Sequence, residues 1–187
     1  MNAPRIVLIG GGVRSGKSAF AVQLGERLGT RRAFIATAIA YDDEMRERIA
    51  RHRRERGDRF QTLEEPYALS DRIRSLEDPD VVVVDRLTLW ISNLLLRKES
   101  VEQILERVDE LVRVLEARRF HAVLVTNEVG MSVHPETALG RRFQDVTGWA
   151  HQRISRAADD IYLAVLGTIL HVHPSALTAE TLARDDR

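Results

Sequence analysis

The chain has 187 residues, of which 28 are basic, 28 acidic and none cysteine. A chain of that length can bury roughly 70% of its unfolded surface, so it can build a core without staples. The cancelling charges exclude a global field toward nucleic acid or anionic lipid, and the missing thiols exclude disulfides, thiolate metal sites and cysteine nucleophiles. No signal-like segment or long apolar run is present, so the expectation is a soluble cytoplasmic protein with no membrane insertion.

The first strand is expected at about 5–10, where Ile6-Val7-Leu8-Ile9 runs directly into Gly11-Gly12-Val13-Arg14-Ser15-Gly16-Lys17-Ser18. That stretch reads G-x-x-x-x-G-K-S, and a helix is expected to follow it at about 17–29. Glycines let successive N–H groups face one anion, Lys17 brings a point charge to the β and γ phosphates, and Ser18 offers a hydroxyl to Mg²⁺. A nucleotide site is therefore expected here.

A second strand at about 33–37 precedes a charged helix at about 42–56. This helix has an acidic start and a basic end, which suits the helix macrodipole and a solvated face. Met45, Ile49 and His52 share i, i+4, i+7 spacing, so the imidazole continues an apolar stripe while arginines crowd around it. A packing histidine is one reading. The other is a nucleophile that the neighbouring guanidinium groups keep neutral while they hold a polyphosphate.

A strand at about 60–63 and a helix at about 67–77 lead to Val81-Val82-Val83-Val84-Asp85, apolar on both faces as an interior parallel strand should be. Its terminal carboxylate suits the Mg²⁺ shell, with adjacent strands placing Asp85 beside Ser18; capping of the helix that follows at about 86–97 is the alternative role. A helix at about 100–118, a strand at about 121–126 and a helix at about 138–158 come next. Asn127 and Glu128 follow that strand at the carboxyl edge, where either substrate contact or turn formation would use them. The last strand, at about 160–166, is expected to turn at Gly167-Thr168 into an antiparallel edge hairpin, with 174–187 a loose tail. The fold class is α/β: a three-layer, P-loop NTPase-like single domain over 1–173 with a mostly parallel sheet. His121, His134, His171 and His173 show no metal-ligand spacing.

Beyond the loop, Ile35-Ala36-Thr37, Asp42-Asp43-Glu44-Met45 leading to His52, Asp85 through Leu87-Thr88-Leu89-Trp90-Ile91-Ser92-Asn93-Leu94-Leu95, Thr126-Asn127-Glu128-Val129-Gly130-Met131 and Arg141-Arg142-Phe143-Gln144-Asp145 occur in order. Together they resemble the bifunctional adenosylcobinamide kinase/adenosylcobinamide-phosphate guanylyltransferase family of cobalamin synthesis, over nearly all of residues 5–173. The resemblance implies two reactions on one scaffold. ATP or GTP phosphorylates the aminopropanol hydroxyl of adenosylcobinamide; GTP then gives GMP to a histidine matching His52, and the corrinoid phosphate displaces it to form adenosylcobinamide-GDP.

The same resemblance implies nucleotide contacts by Gly11 to Ser18, by Thr37 with Ala38 and Ile39, by Arg53, Arg54, Glu55 and Arg56, and by Glu64 and Asp85, with Ser18 and Asp85 at Mg²⁺. Glu64 could instead be a solvated loop charge. A homo-oligomer, a trimer, is the implied assembly. The chain departs from the pattern at His151, within Gly148-Trp149-Ala150-His151-Gln152, where the family carries an amide. It departs again at Val13 and Arg86, where small residues or cysteine are common. A single-activity small-molecule kinase and a nucleic-acid-binding P-loop protein are the competing readings. The arginine cluster at 46–56 is the only support for the latter, and it lacks interleaved aromatics.

Overall fold

The computed structural model describes residues 3–40, 42–43, 46–47, 50, 53–54 and 57–173. His52, Glu55 and Arg56 lie outside the described residues, as do Met45, Ile49 and the 174–187 tail, so the stripe expected along 42–56 is described only at positions between them. Asp43, Arg46, Glu47, Ala50, Arg53 and Arg54 are helical.

Strands β1 (Ile6–Gly11), β2 (Arg32–Ala36), β3 (Gln61–Glu64), β4 (Val81–Asp85), β5 (His121–Val125), β6 (Asp160–Val165) and β7 (Thr168–His173) form one seven-stranded sheet in the order β3-β2-β4-β5-β1-β6-β7. All pairings are parallel except the β6–β7 hairpin. The expected edge hairpin is therefore present. One detail differs: β4 and β1 are not neighbours, because β5 lies between them. Asp85 nevertheless reaches Ser18, since the helix after the loop swings back across β5 and β4.

Period-two alternation divides the core. Val7, Ile9, Val81, Val83, Val123 and Val125 face α1 (Lys17–Leu28), which buries Ala21 against Phe34 and Phe60. Gly25 lets the helix come this close, because a Cβ there would sit 3.1 Å from both Phe60 Cζ and Val83 Cγ2. The other face, with Ile6, Leu8, Val82, Val84, Ala122 and Leu124, packs against α2 (Leu69–Arg74), α3 (Leu87–Leu96), α4 (Val101–Glu116) and α5 (Ala138–Ala157).

The sequence explains these helices locally. Ser100 accepts from Gln103 N at 3.2 Å while Gln103 Oε1 accepts from Ser100 N at 2.8 Å, a capping box that starts α4. Ile104, Val108, Leu111 and Leu115 then fall on one stripe, all at most 2% exposed. Thr137 opens α5 by accepting from Gly140 N at 3.0 Å.

The register sets one row across the carboxyl edge. Glu64 pairs with Ala36, Ala36 with Asp85, Asp85 with Val125 and Val125 with Ile9, just before the phosphate loop. Each sequence-singled carboxylate on a strand thus ends at the level where the loop begins.

Candidate active site

The loop leaves β1 in a conformation that its glycines make possible. Gly11 has φ 149° and Gly16 φ 95°, and a Cβ on Gly11 would lie 2.5 Å from the Ala164 carbonyl oxygen. Gly16 is the N-cap of α1 and offers no side chain, so the first turn of the helix presents its backbone N–H groups to the space above it. Lys17 is 6% exposed, and its Nζ donates to the Gly12 carbonyl at 2.8 Å, which draws the loop around its own ammonium. Ser15 Oγ is buried beneath the loop with no hydrogen-bond partner. A cavity of about 390 Å³ opens here, lined by Val13 to Ala19 with Arg86 and Asn127.

Asp85, at the end of β4, stands against two residues that line this cavity, Ser18 and Arg86. Its Oδ1 accepts from Ser18 Oγ at 3.2 Å, and its Oδ2 stands 3.9 Å from Arg86 Nε. The capping alternative does not describe it: the N-cap of α3 is Arg86, and no side chain caps that helix. A serine hydroxyl and a carboxylate oxygen this close are hard donors of the type Mg²⁺ takes, leaving its other positions to water and phosphate. The residues present fit the ion that the fold implies.

Arg86 has φ 78°, a left-handed conformation that costs a non-glycine residue of order 1–3 kcal/mol. Its neighbours hold it there. Arg86 N donates to Val125 O at 3.1 Å, and its carbonyl accepts from Leu89 N at 2.9 Å and from Thr37 Oγ1 at 2.8 Å. Thr37 is fully buried, and its hydroxyl also lies 3.0 Å from the Asp85 carbonyl. The Thr37 hydroxyl thus holds the end of β4 through two backbone carbonyls, and Thr37 is not among the residues lining the loop cavity.

Beside it, Glu128 N donates to the Gly11 carbonyl at 3.1 Å, which ties the segment after β5 to the loop. Glu128 Oε1 accepts from Gly130 N at 2.6 Å, a turn-forming contact, whereas Asn127 lines the loop cavity. His151 explains its own departure from the family amide: Thr126 Oγ1 and His151 Nε2 are 2.6 Å apart, so the imidazole makes a hydrogen bond at the end of β5. Burial pushes the His151 imidazole below the usual histidine range, while the charge of Glu128 opposes that shift.

A second cavity, of about 450 Å³, lies two strands from β5 along the same edge. Ala38, Ile39, Arg53 and Glu64 line it, together with Arg46 and Pro66. Glu64 and Asp85 are each at the end of their strand with β2 between them, roughly 10 Å apart at about 4.8 Å per strand. Of the acidic pair expected at one nucleotide, Glu64 thus lines the second cavity, while Asp85 stands against Ser18, which lines the first. Arg54 is exposed and is not among the residues lining either.

Sequence reasoning assigned no role to Asn93, which is 4% exposed. Its Nδ2 lies 2.8 Å from the Thr37 carbonyl and 3.3 Å from the Pro66 carbonyl, joining the segments after β2 and β3 that frame the second cavity. Trp90 Nε1 adds a bond to the Tyr67 carbonyl at 2.8 Å. The available signal was a polar residue inside the otherwise apolar stripe Leu87, Trp90, Ile91, Leu94.

The family model described as cobinamide kinase / cobinamide phosphate guanyltransferase matches residues 7–172. The bifunctional adenosylcobalamin biosynthesis protein CobP of Pseudomonas aeruginosa is 42% identical over 161 residues, covering 86% of this chain and 92% of that protein. CobU of Escherichia coli, of the same description, is 34% identical over 176 residues, covering 87% and 96%. Among solved structures, the flagellar accessory protein FlaH from Methanocaldococcus jannaschii aligns with a TM-score of 0.50 over 90% of this chain and 76% of its own. At 11% identity it shows the fold alone.

Proposed function

This chain belongs to the cobinamide kinase / cobinamide phosphate guanyltransferase family, and on that premise we propose that it carries out both reactions, a direct phosphoryl transfer and a guanylyl transfer through a covalent histidine. In the first, the aminopropanol hydroxyl of adenosylcobinamide attacks the γ-phosphorus of ATP or GTP, loses its proton and breaks the β–γ bridge. In the second, a ring nitrogen of His52 attacks the α-phosphorus of GTP and pyrophosphate leaves. The phosphate of adenosylcobinamide phosphate then breaks the P–N bond, giving adenosylcobinamide-GDP and a free imidazole. Splitting a phosphate–phosphate coupling this way leaves two in-line displacements, each with a competent leaving group.

The observation that carries the reading is the Ser18–Asp85 contact at the mouth of the phosphate loop. It sets the Asp85 carboxylate against Ser18, which lines the loop cavity together with Lys17 and the start of α1, the set that γ-phosphoryl transfer requires. Ser18 and Asp85 would hold Mg²⁺, which would supply neutralisation of phosphate charge. Lys17 and the loop amides position the chain of phosphates against the acceptor. The second cavity supports the second reaction: Arg53 and Glu64 line it, and Arg53 follows His52 directly in the chain. Arg53 brings a guanidinium to this cavity, the group that suits a departing pyrophosphate. A homotrimer is the assembly we assign to the working enzyme.

The test is incubation of purified protein with adenosylcobinamide and GTP labelled at either the α or the γ phosphate. The proposal requires γ label in adenosylcobinamide phosphate and α label in adenosylcobinamide-GDP. A γ-labelled product with no α-labelled one would reduce the protein to a kinase.

A further inference from the structure

We propose that Arg86 is a phosphoryl-contacting residue: its guanidinium donates to the γ-phosphoryl oxygens of the nucleotide in the loop cavity. The inference rests on the kinase reading above. Arg86 lines the same cavity as Lys17 and Ser18 but reaches it from β4, across from the loop that leaves β1. Lys17 sits at the loop's own carbonyl, 2.8 Å from Gly12 O, and Arg14, the other cation of the loop, also lines the cavity. Arg86 supplies charge from the other side, beside the carboxylate that faces Ser18.

The backbone supports an aimed side chain. Arg86 holds φ 78°, a conformation that glycine, asparagine or aspartate adopts more readily. It is fixed by bonds from its N to Val125 and to its carbonyl from Leu89 and Thr37. At 3.9 Å from Asp85 Oδ2, Nε is within ion-pair range but beyond a hydrogen bond, and the side chain is 20% exposed. A short rotation turns its N–H fork from the carboxylate to a phosphate. As the bridge between the β and γ phosphates breaks, the negative charge that collects on the β-phosphate and spreads over the transferring oxygens is stabilised by that fork. The acceptor hydroxyl releases its proton to solvent as its oxygen bonds the γ-phosphorus, the bridging oxygen leaves on ADP with the electron pair, and Arg86 keeps its protonation throughout.

Arg86→Gly isolates the side chain, because glycine takes the positive φ without strain. The expected result is a fold as stable as wild type and a kcat for adenosylcobinamide phosphorylation lower by about 10²–10³-fold, with KM for ATP little changed. Added guanidinium ion should recover part of the rate in Arg86→Gly and none in Lys17→Ala. Binding of ADP with aluminium fluoride, which mimics the transferring phosphoryl group, should be lost in Arg86→Gly while binding of ADP alone persists. That measurement needs no acceptor, so failure of adenosylcobinamide as substrate would contradict the substrate reading and leave this one standing. Wild-type turnover and wild-type trapping of ADP with aluminium fluoride in Arg86→Gly would overturn the assignment. So would a rate loss that guanidinium does not relieve and that lowered thermal stability accounts for.

Discussion

Asp85 shows how much one side chain is asked to do: Oδ1 faces Ser18 at 3.2 Å and Oδ2 faces Arg86 at 3.9 Å. Asp85→Asn keeps the shape and removes the charge, so the protein should stay folded while turnover falls by about 10²-fold or more and half-maximal activity needs more Mg²⁺. Unchanged Mg²⁺ titrations would leave Asp85 no metal role. His151 gives a pH prediction with a definite sign. Burial lowers its affinity for a proton in the folded state below that of an ordinary histidine. As pH falls below about 6.5 the unfolded chain takes up the proton first, so stability falls with falling pH from there to the lower folded value, and nothing is lost above it. His151→Gln should flatten this slope in thermal midpoints measured between about pH 5 and 8, leaving the residual slope from His121, which burial also lowers. At this scale the loop was legible in the sequence because glycine, lysine and serine spacing is itself the chemistry. Arg86 was not, since a positive φ at arginine follows from bonds to Val125 and Thr37 that no local pattern encodes.

Among the elements, α3 does more than fill the core. Asn93 and Trp90 tie the segments after β2 and β3 to one helix, so the two walls of the second cavity share a single support. Asn93→Ala removes a buried donor and leaves the Thr37 carbonyl without it, which should cost about 1–3 kcal/mol in denaturant unfolding. It should also slow guanylyl transfer more than phosphorylation, because Asn93 holds the segments that frame the second cavity directly and reaches the loop cavity only through Thr37. Equal loss of both activities would assign Asn93 to stability alone. The strands and helices were legible because β4 and β5 are buried on both faces and α4 carries a clean stripe. Strand order was less so: nothing local to β4 or β1 says that β5 lies between them, and the crossing of α1 restores the Ser18–Asp85 contact that adjacency was expected to give.

For the molecule as a whole, the sheet brings one row of strand ends to a common edge, along which described residues line one cavity at the glycine-rich loop and another at Arg53 and Glu64. That division was hidden from the sequence, which offers Glu64 and Asp85 as similar terminal carboxylates and contains no measure of the strand between them. Two cavities on one edge suit an enzyme with two transfers, and the central claim is that the second transfer passes through His52. Wild-type protein and His52→Asn incubated with α-labelled GTP test this most directly, read after denaturation as label on the protein. The account predicts acid-labile, base-stable label on the wild type, none on His52→Asn, and continued phosphorylation of adenosylcobinamide by the variant. Label on His52→Asn at wild-type stoichiometry would contradict it and place the acceptor elsewhere.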